Sequence, residues 1–479
     1  MKKNQSNNYG IFLNILIIVY TLYISLSVFK QKVIVTDDLS KVYESKLISG
    51  SYFTYIYSFL DSTTMAARPV SGFVTGTLIY LSKYDESVYL LGLIFFPLSL
   101  AVLYMVAKKI LSEELAGLIT LLYSCSVIGT SIQFSPIMLN SNLATVFFSL
   151  SIYFLYVRDK ILVSALLFIA SILSYEIFFP LILLHLFLIK ENKKRILFVI
   201  ITLGSVVLFR KVIQPLLFVN SYQRDEVSKI FEMKRVVQIA VFSGKLFFKD
   251  IFAGLYRGIL NLKNLGILEW ILALSIPATV YKVFSVYDFK SQSARLRNIA
   301  VISFLALLCG FSIFLFSSYI PTIFGFDNRN LGAIRLFYTL FVISIIIYAS
   351  VRIKLGNKII AAAFAVIAFL LIATNISVKN SWIYASRFND ELFSKLKTSL
   401  DENHIESGNV CLDYNMFNEL KNNSHFTLRE PVFYNDWEGP MLSERAGIDS
   451  RRIHVYNRER KIDCEMVFLY KNGKVVRIK

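Results

Sequence analysis

Long apolar runs, separated by short polar segments that are often basic, organise most of the chain. The first run, Ile11 to Phe29, holds nineteen residues without a charge. This is about 28 Å of helix, enough to cross the hydrocarbon core of a bilayer. Further runs follow as far as Asn375. The pattern predicts about eleven membrane-spanning helices, at residues 11–29, 88–107, 114–132, 143–157, 161–174, 177–189, 196–214, 266–281, 299–317, 333–351 and 359–375.

The composition agrees with a membrane protein. The 479 residues are 55% hydrophobic and their mean hydropathy is +0.56, whereas soluble domains are about 45–50% apolar. The net charge of +18 would suit nucleic-acid binding. However, Lys and Arg fall in short clusters between the apolar runs, as the topology signals of membrane proteins do. We therefore predict the lipid bilayer as a partner, and no nucleic acid.

The basic clusters also predict an orientation. When the N-terminus is placed in the cytoplasm, every short basic loop falls on the cytoplasmic side, as the positive-inside rule requires. These loops carry Lys108 and Lys109, Arg158 and Lys160, Lys190 to Arg195, Lys282 to Arg297, and Arg352 to Lys358. An odd number of spans then places the C-terminal tail outside the cytoplasm.

Two further apolar segments do not fit this pattern of spans. Pro69 to Leu81, in the first outer loop (30–87), is too short to cross a bilayer and predicts a juxtamembrane helix. Residues 236–261 interleave aromatic residues with Lys and Arg, which predicts an amphipathic helix at the membrane surface. A span at 236–261 would move the later basic loops to the opposite side, so the surface position is favoured.

The hydropathy falls after Asn375, and the tail predicts a small α+β domain. Trp382 to Leu400 has a helical period, and β-like runs follow at 410–414, 453–456, 467–470 and 474–478. The last two runs flank Asn472-Gly473, a strong two-residue hairpin signal. The predicted fold is therefore mainly α: a polytopic helical membrane domain over residues 1–375 and a small extracytoplasmic α+β domain over 376–479.

The four cysteines show neither CxxC spacing nor a metal-binding pattern. Cys411 and Cys464 both lie in the tail and would pair if it faces an oxidising compartment. Two unrelated buried thiols are an equally open alternative.

Carboxylates near the membrane surface are the first candidates for chemistry. Asp37 and Asp38 directly follow the first span. Either one could act as a general base on a hydroxyl or orient a cation or a sugar; a solvated loop start is the simpler alternative. Glu176 lies between two short apolar runs and, by the predicted topology, on the same outer face. Ionisable groups at membrane depth are usually functional or paired, although a wet loop between helices would also accommodate it.

Three arginines could bind an anion, because guanidinium groups bind phosphate oxygens bidentately. Arg68 stands where the first outer loop re-enters an apolar segment. Instead of binding a phosphate, it could form a structural salt bridge. Arg329 and Arg335 lead into the tenth span, and Arg335 could instead snorkel towards the surface. The chain contains no GxSxG, Walker A or HExxH motif, which leaves hydrolase, ATP-driven transport and zinc-protease functions without support.

Together these features resemble the GT-C class of membrane glycosyltransferases. That class has an acidic pair after the first helix, juxtamembrane helices, an extracytoplasmic active site and often a soluble C-terminal domain. Within the class, the chain is most similar to the Gtr-type glucosyltransferases that modify O-antigen. The similarity rests on four stretches, Asp37-Asp38, Arg68-Pro69, Phe134 to Asn140, and Ser174-Tyr175-Glu176.

The resemblance implies an inverting enzyme of the bacterial cytoplasmic (inner) membrane. It would move a hexose, glucose in the Gtr-type enzymes, from a polyprenyl-phosphate carrier onto a lipid-linked surface polysaccharide such as O-antigen. Asp37 or Asp38, with a slight preference for Asp38, would deprotonate the acceptor, and Glu176 would assist. Arg68, Arg329 and Arg335 would stabilise the leaving lipid phosphate. No cofactor is predicted, although a divalent cation, Mg²⁺ or Mn²⁺, could take part.

Two other functions stay open. An O-antigen polymerase or ligase also has many spans and lipid-linked substrates, but it relies on arginines in large outer loops. A polysaccharide transporter or flippase commonly shows internal repeats and broken helices at the membrane midplane. The chain shows no internal repeat, and its ionisable residues cluster near one face.

Overall fold

The computed structural model describes residues 2–220, 232–317, 319–414, 423–433, 435–449, 452–455, 464–471 and 473–478. Within these residues the chain is mostly helical. Its helices are α1 Lys2–Lys30, α2 Asp37–Lys46, α3 Tyr52–Ser62, α4 Pro69–Ser82, α5 Phe95–Ile110, α6 Glu113–Ser124, α7 Ser131–Phe134, α8 Leu139–Tyr156, α9 Ile161–Ser174, α10 Ile182–Leu188, α11 Asn192–Leu208, α12 Gln214–Leu217, α13 Met233–Lys245, α14 Ile251–Leu260, α15 Ile267–Ser285, α16 Phe289–Phe311, α17 Gly332–Arg352, α18 Asn357–Glu402 and α19 Gly439–Arg445.

In the described part of the chain, eight helical segments are long and apolar enough to cross a membrane, which confirms a polytopic helical membrane protein. They are Tyr9–Lys30, Glu86–Ile110, Pro136–Tyr156, Asn192–Leu217, Ile267–Ser285, Phe289–Phe316, Phe326–Arg352 and Asn357–Glu402. The other three predicted spans are shorter helices. Residues 161–174 and 177–189 form Ile161–Ser174 and Glu176–Leu188. In the apolar run 114–132, α6 ends at Ser124 and the short helix α7 begins at Ser131.

The segment 30–87, predicted to be the first outer loop, contains three α-helices. Asp37 and Asp38 occupy the first turn of α2, where carboxylates interact favourably with the helix dipole. The Ser51 hydroxyl caps α3 by accepting from the backbone N–H of Thr54. The apolar stretch that begins at Pro69 forms α4, with its proline at the first helical position. That α4 lies beside the membrane stays a prediction.

The segment predicted to lie at the membrane surface contains α13, a π-helical turn at Leu246–Asp250, and α14. One face of α14 packs against the protein through Gly254 and Gly258, where an added Cβ would collide with Leu428 and Thr374. On α14 the side chains of Phe252 and Tyr256 are 64% and 61% exposed. An exposed aromatic face suits contact with lipid.

Helix α18 is 46 residues long and runs unbroken through the predicted domain boundary at residue 375. It therefore connects the membrane-spanning part directly to the tail. The tail forms a small sheet of strands β1 Val410–Tyr414, β2 Ile453–Val455, β3 Met466–Lys471 and β4 Lys474–Arg477, in the order β2-β1-β3-β4. Strand β1 is parallel to β2 and β3, and β3 pairs antiparallel with β4. The predicted strand residue Tyr456 and the hairpin residue Asn472 lie outside the described residues.

A disulfide joins Cys411 on β1 to Cys464, which precedes β3, with the two Cα atoms 5.7 Å apart. This decides between the two alternatives that the sequence left open for these thiols. Cys125 is free and buried, and Cys309 is free and partly buried.

Removing this disulfide is expected to destabilise the tail by about 2–4 kcal/mol. The bond spans 53 residues of sequence, and closing a loop of this size restricts the unfolded chain. The Cys411→Ala/Cys464→Ala variant should unfold its tail at lower denaturant concentration, as measured by limited proteolysis. Cys309→Ala is the matched control and should leave the cleavage pattern unchanged. A double variant as resistant as the native protein would contradict a stabilising role.

Candidate active site

Asp38 is completely buried and holds a distant part of the chain against α2. Its Oδ1 accepts hydrogen bonds from the Tyr89 hydroxyl at 2.8 Å and from the backbone N–H of Ile137 at 3.0 Å. Its Oδ2 accepts from the Ser135 hydroxyl at 2.6 Å. Burial raises the pKa of Asp38 to about 7, although the three donors act in the opposite direction. The stretch from Phe134 to Asn140 is thus folded onto the acidic pair.

This burial predicts a pH dependence of stability. The pKa of Asp38 is about 7 in the folded protein, above the ordinary carboxyl value of about 3.9. The folded state therefore binds the proton more tightly than the unfolded state, and the stability falls as the pH rises from about 4 through 7. The native protein in detergent micelles should lose thermal stability between pH 5 and pH 7. Asp38→Asn should reduce this loss, and identical profiles would contradict the shift.

Asp37 differs from its neighbour because it is partly exposed and forms an ion pair. Its side chain is 27% exposed, and its Oδ2 lies 2.5 Å from Nη1 of Arg329. The Arg329 guanidinium also lies over the ring of Phe326, 4.2 Å from its centroid. The two residues are 292 positions apart in sequence. The first outer loop therefore meets the segment that leads into α17.

Arg68 and Glu176 form a second, bidentate ion pair. Nε of Arg68 donates to Oε2 of Glu176 at 2.6 Å, and Nη2 donates to Oε1 at 2.5 Å. Their side chains are 16% and 26% exposed. Burial alone would lower the pKa of Arg68, but the Glu176 carboxylate outweighs it and raises the pKa above its ordinary value. The start of α4 is fixed to the same region because the Ser71 hydroxyl donates to the carbonyl of Ser174 at 2.7 Å.

Tyr175 connects the two ion pairs. Its ring lies beneath the Arg68 guanidinium, 4.6 Å from centroid to Cζ, and its hydroxyl donates to Oδ1 of Asn330 at 3.1 Å. Arg68 and Arg329 are close enough to repel each other electrostatically. Asp37, Arg68, Glu176 and Arg329 therefore form one group at one end of the helices, which we name the acid–arginine cluster.

Arg335 is not part of this cluster, and its partners are backbone carbonyls of the protein. Its side chain is fully buried and donates to the backbone carbonyls of Tyr123, Ser124 and Gly129 at 2.5–3.1 Å. These carbonyls belong to the end of α6 and the turn that follows it. Arg335 therefore stabilises the turn that ends α6 at Ser124. We leave it out of the proposed phosphate-binding set, because its donors are occupied by the protein.

Several residues at the site were missed in the sequence. Tyr89 and Ser135 bind Asp38, and Tyr175 bridges the ion pairs. Arg210, at the end of α11, interacts electrostatically with both Arg68 and Glu176. Arg210 lies near the end of the predicted span 196–214, and no motif in the sequence distinguishes it. The only sequence signal for Tyr175 was its position beside Glu176.

The donor set of the cluster does not favour a metal. Asp37 and Glu176 each bind an arginine, and among the described residues no three His, Cys, Asp or Glu side chains come together. We therefore derive no step through Mg²⁺ or Mn²⁺.

A separate polar cleft of about 500 Å³ opens beside the end of α1. Its acids and bases contact each other, with Arg445 close to both Asp390 and Glu86. The cleft includes no member of the acid–arginine cluster. It is lined by Gln31, Lys32, Glu86, Ser386, Arg387, Asp390, Ser394, Arg445 and Ala446.

No protein-family model matches the chain, and no curated protein matches it. Among solved structures, the crystal structure of ArnT from Cupriavidus metallidurans in the apo state matches 95% of this chain and 93% of its own. The sequence identity is 11% and the TM-score is 0.34. A similarity at this level carries no conclusion about function, which has to come from the site itself.

Proposed function

We propose that this protein is a membrane glycosyltransferase of the GT-C kind that takes a sugar from a lipid-phosphate carrier. The observation that carries the proposal is the acid–arginine cluster. It combines a partly exposed carboxylate, Asp37, with the guanidinium groups of Arg68 and Arg329, and it draws these groups from distant parts of the chain. A base beside two phosphate-binding groups is what transfer from a phosphate-linked sugar requires.

The proposed reaction is a single displacement. The acceptor hydroxyl attacks the anomeric carbon and gives its proton to Asp37 as the new glycosidic C–O bond forms. The bond between the anomeric carbon and the phosphate oxygen breaks, and its electron pair leaves with the carrier phosphate. The configuration at the anomeric carbon is inverted. Arg68 and Arg329 stabilise the negative charge that develops on the phosphate.

Arg329 links donor binding to the activity of the base. Its guanidinium is paired with Asp37. A bound phosphate competes for that guanidinium because it is also an anion with bidentate geometry. When Arg329 turns towards the phosphate, the Asp37 carboxylate becomes free to accept a proton. Glu176 keeps Arg68 in place through the bidentate pair.

We assign the base to Asp37 rather than to Asp38, which the sequence slightly favoured. The pKa of Asp38, about 7, would suit a general base. However, a base must first reach the proton that it removes, and Asp38 is completely buried with both oxygens occupied. Asp38 acts as a positioning residue that fixes the stretch from Phe134 to Asn140 beside Asp37.

The finer assignment follows from the resemblance in sequence. We propose a polyprenyl phosphate as the carrier, a hexose such as glucose as the sugar, and a lipid-linked surface polysaccharide such as O-antigen as the acceptor. The cluster would face the outside of the bacterial cytoplasmic membrane. The disulfide in the tail supports an extracytoplasmic position, because such bonds persist in oxidising compartments.

The test is the structure of the surface polysaccharide with and without the gene. Linkage analysis should show a hexose branch that disappears on deletion and returns with the native gene, but not with Asp37→Asn. An unchanged glycan would overturn the proposal. A changed distribution of chain lengths with unaltered branching would also overturn it and would favour a polymerase or ligase.

A further inference from the structure

Two arginines outside the cluster lie against one aromatic ring. The guanidinium carbon of Arg257, on α14, is 5.7 Å from the ring centroid of Phe324, and that of Arg429, in the tail, is 5.1 Å from it. These residues come from a helix, a loop before α17, and the tail. Three distant parts of the chain thus bring two positive charges together.

Neither guanidinium has a hydrogen bond or an ion pair with any described residue. Burial and the charge of Arg429 both lower the pKa of Arg257. The acid that acts electrostatically on Arg257 is Glu430. It is buried, and its carboxylate accepts hydrogen bonds from the backbone N–H groups of Thr427 and Leu428 at 2.9 and 2.8 Å. Burial raises the pKa of Glu430 to about 8, so it is mostly neutral at pH 7. Glu430 attracts Arg257 electrostatically, but the pKa of Arg257 is still lowered, so this attraction offsets burial and the repulsion from Arg429 only in part.

The backbone conformation of Arg429 is strained. Its φ is +57°, a left-handed conformation that costs a non-glycine residue about 1–3 kcal/mol. The surrounding contacts enforce it: Gly325 N–H donates to the carbonyl of Leu428 at 2.9 Å, and Asn261 donates to the hydroxyl of Thr427 at 2.9 Å. Backbone strain of this kind concentrates at sites that bind ligands.

The surroundings point to a lipid. Arg257 is on the helix that exposes Phe252 and Tyr256, and this helix is predicted to lie at the membrane surface. Arginines beside an exposed apolar face suit an anionic head group whose tail continues into the bilayer. The 3-10 helix Phe326–Leu331, which carries Arg329, begins two residues after Phe324. The arginine pair therefore adjoins the segment that reaches the acid–arginine cluster.

We propose that Arg257 and Arg429, braced by the ring of Phe324, bind the phosphate group of a membrane lipid. The lipid is either the polyprenyl phosphate carrier or an anionic phospholipid, since both present a phosphate at the head-group level. Only the first source rests on the proposed function. In that case the pair is an entry site for the carrier, distinct from Arg68 and Arg329.

The test measures lipid binding by the full-length protein, without any sugar transfer. Native mass spectrometry in detergent compares undecaprenyl phosphate, undecaprenol, phosphatidylglycerol and inorganic phosphate as probes. We expect Arg257→Gln/Arg429→Gln to weaken binding of at least one phosphate lipid by about 10- to 100-fold, the loss expected for one or two charge-assisted hydrogen bonds. Arg257→Lys/Arg429→Lys keeps the charge and should retain part of the affinity.

Lys249→Gln/Lys263→Gln is the matched control, because it removes two exposed positive charges from the same segment. It should bind like the native protein. Selective loss of undecaprenyl phosphate supports a carrier site, and selective loss of phosphatidylglycerol supports a phospholipid site. The proposal is overturned if the Gln variant and the native protein bind every probe equally. It is also overturned if the Gln variant weakens binding of undecaprenol as much as binding of the phosphate lipids, or if inorganic phosphate is the only probe affected.

This assay separates the inference from the proposed function. Asp37→Asn should still bind the phosphate lipids while losing transfer, because it leaves Arg257 and Arg429 in place. If the lipid-binding result holds but deletion of the gene leaves the glycan unchanged, the lipid site stands and the enzymatic proposal falls. The reverse outcome removes only the lipid site.

Discussion

Asp37→Asn is expected to lower kcat for sugar transfer by about 10²- to 10⁴-fold, the contribution typical of a general base. The amide has nearly the same shape as the carboxylate but cannot accept the proton of the acceptor hydroxyl. Asp37 is partly exposed, and its one described side-chain partner is Arg329, so the fold should survive. The measurement is transfer of radiolabelled sugar from a polyprenyl-phosphate donor by purified protein, with folding checked by thermal unfolding.

Asp38→Asn is the matched control, because it makes the same chemical change one residue away. Its Oδ1 can still accept from Tyr89 and from the backbone of Ile137, and its amide can donate to the hydroxyl oxygen of Ser135. We expect activity within about tenfold of native, well below the effect of a lost base. If Asp38→Asn is inactive and folded while Asp37→Asn transfers sugar normally, then the base is Asp38.

Adjacent carboxylates show what the sequence could and could not predict. The apolar runs predicted a membrane protein, and the position directly after the first span made the acidic pair a candidate for the general base. Neighbouring residues on a helix point about 100° apart, so the two carboxylates were expected to face different surroundings. Which one depends on Tyr89 and on residues 135–137, which pack against Asp38 from far along the chain. Hydrophobic periodicity carries no information about such partners.

Arg335 and α6 illustrate the same limit. An arginine two residues inside an apolar run can snorkel, bind a ligand or bind backbone carbonyls, and all three look alike in sequence. The structure shows the third, because the carbonyls of Tyr123, Ser124 and Gly129 converge on its guanidinium. The same contact explains why the apolar run 114–132 forms a helix of only twelve residues.

Each ion pair of the cluster holds an arginine beside the site. Asp37 holds Arg329, and Glu176 holds Arg68. Unpaired guanidinium groups would be costly at such buried positions, because burial disfavours an isolated charge. Of the two pairs, Arg68–Glu176 is the bidentate one. Because this pair can be reversed by exchanging its two residues, an experiment can separate its structural role from its catalytic role.

Reversing the Arg68–Glu176 pair should separate stability from activity. Arg68→Glu or Glu176→Arg alone puts like charges together in a mostly buried site, and we expect a loss of about 3–5 kcal/mol, as when a buried pair is broken. The double variant Arg68→Glu/Glu176→Arg restores an ion pair and should recover most of this stability. Its transfer activity should stay about 10²- to 10³-fold below native, because the guanidinium no longer stands at the start of α4, where the phosphate is proposed to bind. Thermal unfolding and transfer kinetics on the same preparations give both numbers.

The matched control for this charge reversal is the surface pair Lys194–Asp159, which lies 2.8 Å apart with Asp159 73% exposed. Its reversal, Lys194→Asp/Asp159→Lys, should change stability by less than about 1 kcal/mol and leave activity unchanged. A reversed Arg68–Glu176 pair that is both stable and fully active would make the pair purely structural and leave Arg329 as the remaining phosphate ligand of the cluster. A reversed pair that is stable but inactive supports Arg68 as the group that meets the carrier phosphate, because the ion pair is kept while the guanidinium has moved away from the start of α4.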